Sequence, residues 1–150
     1  MSTTFRITST STSPARVEVF ARQHSFTVDE PASLGGTDTG ANPVEYLLGA
    51  LTGCFNVVVH LVAKEHDVEI EALTLEAEGD IDPAKLLGTS SEGRAGFTGI
   101  RIRVDLTADA DAATITRIVE EAKERCPVSD NLANLTPVEF VLAPERELAR

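Results

Sequence analysis

Apolar and polar residues alternate with a period of two along three early stretches, Phe5 to Ser11, Arg16 to Ala21 and His24 to Asp29, and again from Gly99 to Thr107. Successive side chains of an extended strand point to opposite faces, so this period predicts strands with one covered and one wet side. The pattern is clearest in the last stretch, where Ile100, Ile102, Val104 and Leu106 share one face and Arg101, Arg103 and Asp105 the other, as in an antiparallel sheet. Ile70 to Glu78 and Pro137 to Leu142 read as further strands, and Ser13-Pro14 suits the first turn.

Elsewhere the period changes. Asn42-Pro43 starts a helix well, with Asn as N-cap and Pro in the first turn, where its missing N–H costs nothing. From Tyr46 to Ala63 the chain is apolar on nearly every side. That run touches the lower limit for a membrane span. Its glycines, its polar Thr52, Asn56 and His60, and the charged Lys64 to Asp67 that follow argue instead for a helix buried inside a domain. A second helix is expected over Ala112 to Arg125, capped by Asp109 or Asp111, with Ile115, Ile118, Val119 and Ala122 as its inward stripe and Pro127 breaking it after Cys126. A short helix through Asn134 follows. The long loop Asp29 to Pro43, rich in Gly, Asp and Thr, is of a length more often functional than idle.

The 150 residues suit a single domain, and 42% hydrophobic with 25% charged residues is ordinary for a soluble globular chain. A net charge of −11 repels phosphate backbones and anionic lipid, so neither nucleic acid nor a membrane is an expected partner. Two cysteines cannot form a dense disulfide framework, and a reducing cytoplasm is the expected compartment. The Ser/Thr/Arg-rich start has the composition of a transit peptide, but strand-like alternation begins as early as Phe5.

Both cysteines can be read as small core residues, the usual fate of a free thiol. On an ideal helix Cys54 shares its face with Leu47, Ala50, Leu51, Val57, Val58 and Leu61. These surroundings are dry, and desolvation raises a thiol pKa, so a reactive Cys54 needs a cation or hydrogen-bond donor from elsewhere. Cys126, at the broken end of a helix in "ERCPVSD", is the second candidate. Two thiols on separate helices can meet, one attacking a peroxide and the other resolving the sulfenic acid as a disulfide. Gly49 and Gly53, one turn apart beside Ala50, allow close approach of another backbone, either a sheet of the same chain or a twin helix. Spacing does not place His24, His60 and His66 together as metal ligands, and "LGGTDTG" lacks phosphate-loop spacing, so no metal or cofactor is expected.

"DEPASLGGTDTGANPVEYLLGALTGC", followed much later by "ERCPVSDNL", resembles the OsmC/Ohr family of osmotically inducible and organic-hydroperoxide-resistance proteins. The resemblance implies an α+β fold of antiparallel sheets around a long buried central helix, with two chains intertwined as a homodimer. It also implies a cysteine-based peroxidase serving oxidative-stress defence, with Cys54 attacking an organic or hydrogen peroxide, Cys126 resolving it, and a dithiol, lipoyl-linked in several members, as reductant. Active members hold the first thiolate with an Arg–Glu pair. The arginine comes from the early strands, where Arg16 and Arg22 compete and Arg22 is preferred. The family glutamate follows Asn-Pro directly, yet that position is Val44, and Glu45 lies about half a turn from the Cys54 direction. "NPVEYLLGALTGC" looks closer to the less characterised OsmC-like branch. Val44 motivates an alternative, a non-catalytic protein holding a hydrophobic small molecule in a cleft beside Cys54. A Cys-His hydrolase would need a histidine near Cys54, and local spacing places none there.

Overall fold

The computed structural model describes residues 3–142. Three strands come first, β1 (Thr8–Ser13), β2 (Arg16–Ala21) and β3 (His24–Asp29), joined as antiparallel hairpins in the order β1-β2-β3. Register puts Val17 opposite Val28 and Val19 opposite Phe26 on one face, and Glu18 opposite Thr27 on the other. Arg22 occupies the β2–β3 turn with φ 58°, a left-handed conformation that a tight hairpin demands and that a residue with a Cβ adopts only under such a constraint. The first strand begins at Thr8, not Phe5: all of β1 is exposed, so no apolar face extends its pairing toward the N-terminus.

The long helix α1 (Pro43–Glu65) begins with a capping box. Asn42 Oδ1 accepts from Glu45 N–H at 2.9 Å, and Glu45 Oε2 accepts from Asn42 N–H at 2.8 Å. Strands β4 (Ile70–Asp80) and β5 (Gly99–Ala108) form a separate two-stranded antiparallel sheet. Leu73, Leu75 and Ala77 lie opposite Leu106, Val104 and Ile102 on its inner face, while Glu76–Arg103 and Glu78–Arg101 pair across the wet face. Helix α2 (Ala112–Arg125), capped by the Asp111 carboxylate on Thr114 N–H, and short α3 (Pro127–Ala133) complete the ordered elements.

The core lies where α1 meets α2, α3 and the β4–β5 sheet. Leu51, Phe55, Val58, Val59, Val62 and Ala63 of α1 pack with Ile118, Ala122 and Cys126. This is one stripe of α1. The helix is long and apolar enough to cross a membrane, with mean hydropathy 1.7, yet its other side is open: Val57 is 56% and Leu61 52% exposed. The helix lies inside the domain as expected, and the elements of the single chain cover one of its faces.

The strand expected at Pro137 to Leu142 does not form. These residues have no regular structure, and Val138, Phe140 and Leu142 are exposed, Phe140 by 95%. The alternation is present, but neither sheet of the chain pairs with this segment.

Candidate active site

The approach to the site is built by a polar hub. Asp29, 1% exposed, closes β3 and accepts from Thr37 Oγ1 at 2.6 Å, Thr39 Oγ1 at 2.9 Å, and the amides of Thr37, Thr39 and Glu30. These donors, the Thr37 hydroxyl foremost, hold its carboxyl well below the usual carboxylate range, against the opposing effect of burial. The loop closes so tightly that a Cβ on Gly36 would strike the Glu30 carbonyl, and one on Gly40 the Thr27 carbonyl. Tyr46 then ties α1 to the sheet: its hydroxyl donates to Thr27 C=O at 2.8 Å and its ring stacks on Phe26 with centroids 4.9 Å apart. The Asp29 hub was missed in the sequence. Its signal was the Thr-x-Thr spacing of Thr37 and Thr39 in a loop with too many donors to leave unpaired.

Three turns into α1, Cys54 meets Cys126. The two side chains adjoin in the core cluster, close enough for Cys126 to perturb the Cys54 thiol, with Cys54 half-buried and Cys126 fully buried. Pro127 produces this meeting. By ending α2 and opening α3 it makes Cys126 the C-cap of one helix and the N-cap of the next, with φ −78° and ψ 111°. The start of α3 then faces the sulfurs: Ser129 N–H donates to Cys126 Sγ at 3.5 Å, and the Val128 amide lies near enough to Cys54 to favour its thiolate.

Burial pushes the Cys54 thiol up, the Val128 amide pulls it down, and the adjoining Cys126 sulfur favours keeping the proton; the net direction is upward. Among the described residues no cation contributes to this balance. Arg22 stands exposed on its hairpin turn, making no ion pair among the described residues, and Arg16 is engaged by Glu18 at 2.7 Å on β2, with Thr27 Oγ1 completing the carboxylate's bonds. The structure thus brings together the two cysteines and leaves both candidate arginines away from them within one chain. Glu45 is committed to the capping box, so its carboxylate acts at the helix start.

The dry face expected around Cys54 is half wrong. Leu51 and Val58 are buried, but Leu47, Ala50, Val57 and Leu61 are exposed, which puts the thiol on the boundary between the core stripe and an open apolar stripe. Between α1, β5 and the α2–α3 region lies a cavity of about 680 Å³, lined on α1 by Val44, Leu47, Leu51 and Phe55 and reaching Ser129, with neither cysteine in its wall. Val44 is therefore an apolar wall residue where the resemblance calls for an acid. Among the described residues no three His, Cys, Asp or Glu side chains gather as a metal site requires.

Two antiparallel sheets, a one-sided central helix and thiols paired at a helix break define an α+β protein of paired-cysteine type. The sequence pattern of the family described as OsmC-like protein matches residues 36–141, and the chain belongs to that OsmC/Ohr family. It is 31% identical over 107 residues, 69% of this chain and 71% of the relative, to the organic hydroperoxide resistance protein OhrB of Bacillus subtilis (strain 168). An OsmC-like protein from Mycoplasma pneumoniae superimposes with TM-score 0.78 at 19% identity, covering 90% of this chain and 91% of that one. The crystal structure of Bacillus subtilis OhrB gives TM-score 0.55 at 24% identity over 86% and 90% of the two chains. These two likenesses establish the fold.

Proposed function

We propose that the chain is a single-domain, homodimeric thiol peroxidase of the cytoplasm that detoxifies organic or hydrogen peroxides. The observation that carries this reading is the meeting of Cys54 with Cys126 at the α2–α3 break. The relative named for organic hydroperoxide resistance supports the peroxide substrate. In the reaction the Cys54 thiolate attacks one peroxide oxygen, the O–O bond breaks, and the alkoxide leaves as alcohol after taking a proton, with Cys54 left as sulfenic acid. Cys126 then attacks that sulfur and expels water as the disulfide forms. A dithiol reductant, lipoyl-linked in the family, returns two electrons and two protons to the pair.

A thiol whose pKa is raised reacts slowly, so the site needs a cation from beyond the described residues of one chain. A second copy supplies it in this reading. The family is dimeric, and three features support a dimer here: the open face of α1 with Gly49 and Gly53, the unpaired apolar alternation of Val138 to Leu142, and an Arg22 free to reach a partner. We assign Arg22 as the guanidinium that holds the Cys54 thiolate across that interface, since Arg16 is already turned to Glu18.

Titration of the purified protein with cumene hydroperoxide, followed by trapping of free thiols, is expected to yield an intramolecular Cys54–Cys126 disulfide, with none in Cys54→Ser. Two free thiols after excess peroxide would sink the mechanism. The cavity supports a second reading, a carrier of an apolar small molecule without catalysis. In that case Cys54→Ser keeps full affinity for a fluorescent apolar probe and the wild type consumes no peroxide.

A further inference from the structure

The last turns of α1 and α2 are tied by a charged network that the redox chemistry does not use. Arg125 Nη1 and Nη2 donate to the two Glu65 oxygens at 2.5 and 2.9 Å, and Nη1 donates also to Glu121 Oε1 at 2.8 Å. The other Glu121 oxygen bonds His66 Nε2 at 3.0 Å. Glu65 is the final residue of α1 and His66 its C-cap. A carboxylate there faces the negative end of its own helix dipole, the wrong sign for that helix. The two-pronged guanidinium from α2 accounts for its place, and it keeps the Glu65 carboxyl below the usual carboxylate range. Arg125 is also the final residue of α2, and Cys126 follows it directly.

We propose that Arg125, Glu65, Glu121 and His66 form a positioning latch that sets how closely Cys126 is held against Cys54. The inference rests on the two thiols being the redox pair argued above. Packing of Ile118 and Ala122 on the α1 stripe holds the helices together, but apolar contact is non-directional and leaves the last turn of α2 free to slide. A bidentate fork is directional. It fixes Arg125, and one peptide step of about 3.8 Å carries that placement to Cys126 and on to the Ser129 amide that donates to its sulfur. Arg125, Glu65 and Glu121 are each partly exposed, so any single pair is weak and screened by salt; the network contributes orientation more than stability.

The test equilibrates the full-length protein with glutathione redox buffers. Each disulfide formed takes two electrons and two protons from Cys54 and Cys126 and converts one glutathione disulfide to two glutathiones, giving the effective concentration of the pair with no peroxide step. Glu65→Gln, which removes the α1 anchor but leaves Arg125–Glu121 within α2, is expected to lower that concentration about three- to tenfold. Arg125→Gln should lower it at least as far, and Arg125→Lys, which keeps the charge without the fork, should fall between. Arg101→Gln breaks comparably exposed pairs with Glu78 and Asp80 on the β4–β5 sheet and should leave it unchanged. Melting curves on every variant report whether the fold persists. Equal values for wild type and Glu65→Gln, or an equal drop in Arg101→Gln, overturn the latch alone. A wild-type protein that never forms the disulfide overturns the latch and the thiol-pair reading together.

Discussion

Around α1, α2 and the β4–β5 sheet the buried side chains, among them Leu51, Phe55, Val59, Val62, Ile118 and Ala122, are all apolar or thiol, whereas in the β1–β3 sheet they are Val19 and a carboxylate, Asp29. The two regions are held by different physics. Apolar burial is non-directional and scales with area, so the first region is stabilised by its own cluster. The β1–β3 sheet has too little apolar area of its own, and β1 is exposed from end to end. It is attached by directional bonds: the Asp29 hub, the Tyr46 hydroxyl on Thr27 and the Phe26–Tyr46 stack. A sheet attached in this way, with an arginine at its turn, is suited to be completed by a second copy.

The largest effect is expected in the apolar region. Phe55 is 5% exposed and touches both the core and the cavity wall, so Phe55→Ala should cost about 3 kcal/mol in urea unfolding, the low end for such a change because the adjoining cavity lets the site relax. A loss below about 1 kcal/mol would break the comparison, since the apolar cluster would then not be what holds this region.

The polar region should break differently. Asp29→Asn turns two donor hydrogens toward Thr and amide donors that already point inward, and is expected to lower the melting temperature by about 5 °C. Hydrogen exchange should accelerate at the Thr37 and Thr39 amides and hold at Val59 and Val62. The pH dependence has a definite sign. The folded carboxyl lies below its ordinary value, so its stabilising contribution is full above the unfolded pKa of about 3.9 and fades as pH falls through the folded value. The gap between wild type and Asp29→Asn should therefore be flat from about pH 8 to pH 5 and narrow only in stronger acid. Equal fast exchange in both regions would erase the distinction between them.

What the sequence made legible follows the same division. The periods of β2, β3, β5 and α2 were readable because each has one covered face, and the cap at Asn42 because a short polar side chain precedes an apolar run; at α2 the sequence offered Asp109 or Asp111, and the structure uses Asp111. The thiol pairing was readable only through the family resemblance, since no local period links Cys54 to Cys126; Pro127 and the α2–α3 break bring them together. Glu45 as a capping residue is written in the Asn-x-x-Glu spacing, a local signal independent of Cys54. The Pro137 to Leu142 period predicted a strand that neither sheet pairs. That failure and the half-open face of α1 mark the same boundary: an apolar pattern marks a surface suited to being covered, without saying what covers it.

The smallest expected effect sharpens the point most. A Cβ built on Gly53 meets no atom within 4 Å in the single chain, so if that face of α1 met water, Gly53→Ala would stabilise the protein by about 1 kcal/mol through helix propensity alone. If a twin helix crosses at Gly49 and Gly53, the added methyl group pushes the two backbones apart and offsets that gain. We expect the second result: a lower melting temperature in Gly53→Ala, and a dimer that dissociates at higher protein concentration in sedimentation equilibrium, because binding between copies stabilises each by mass action. A rise in melting temperature with unchanged association would return the open stripe of Ala50, Val57 and Leu61 to solvent, and with it the need to find the Cys54 cation somewhere other than a partner's hairpin.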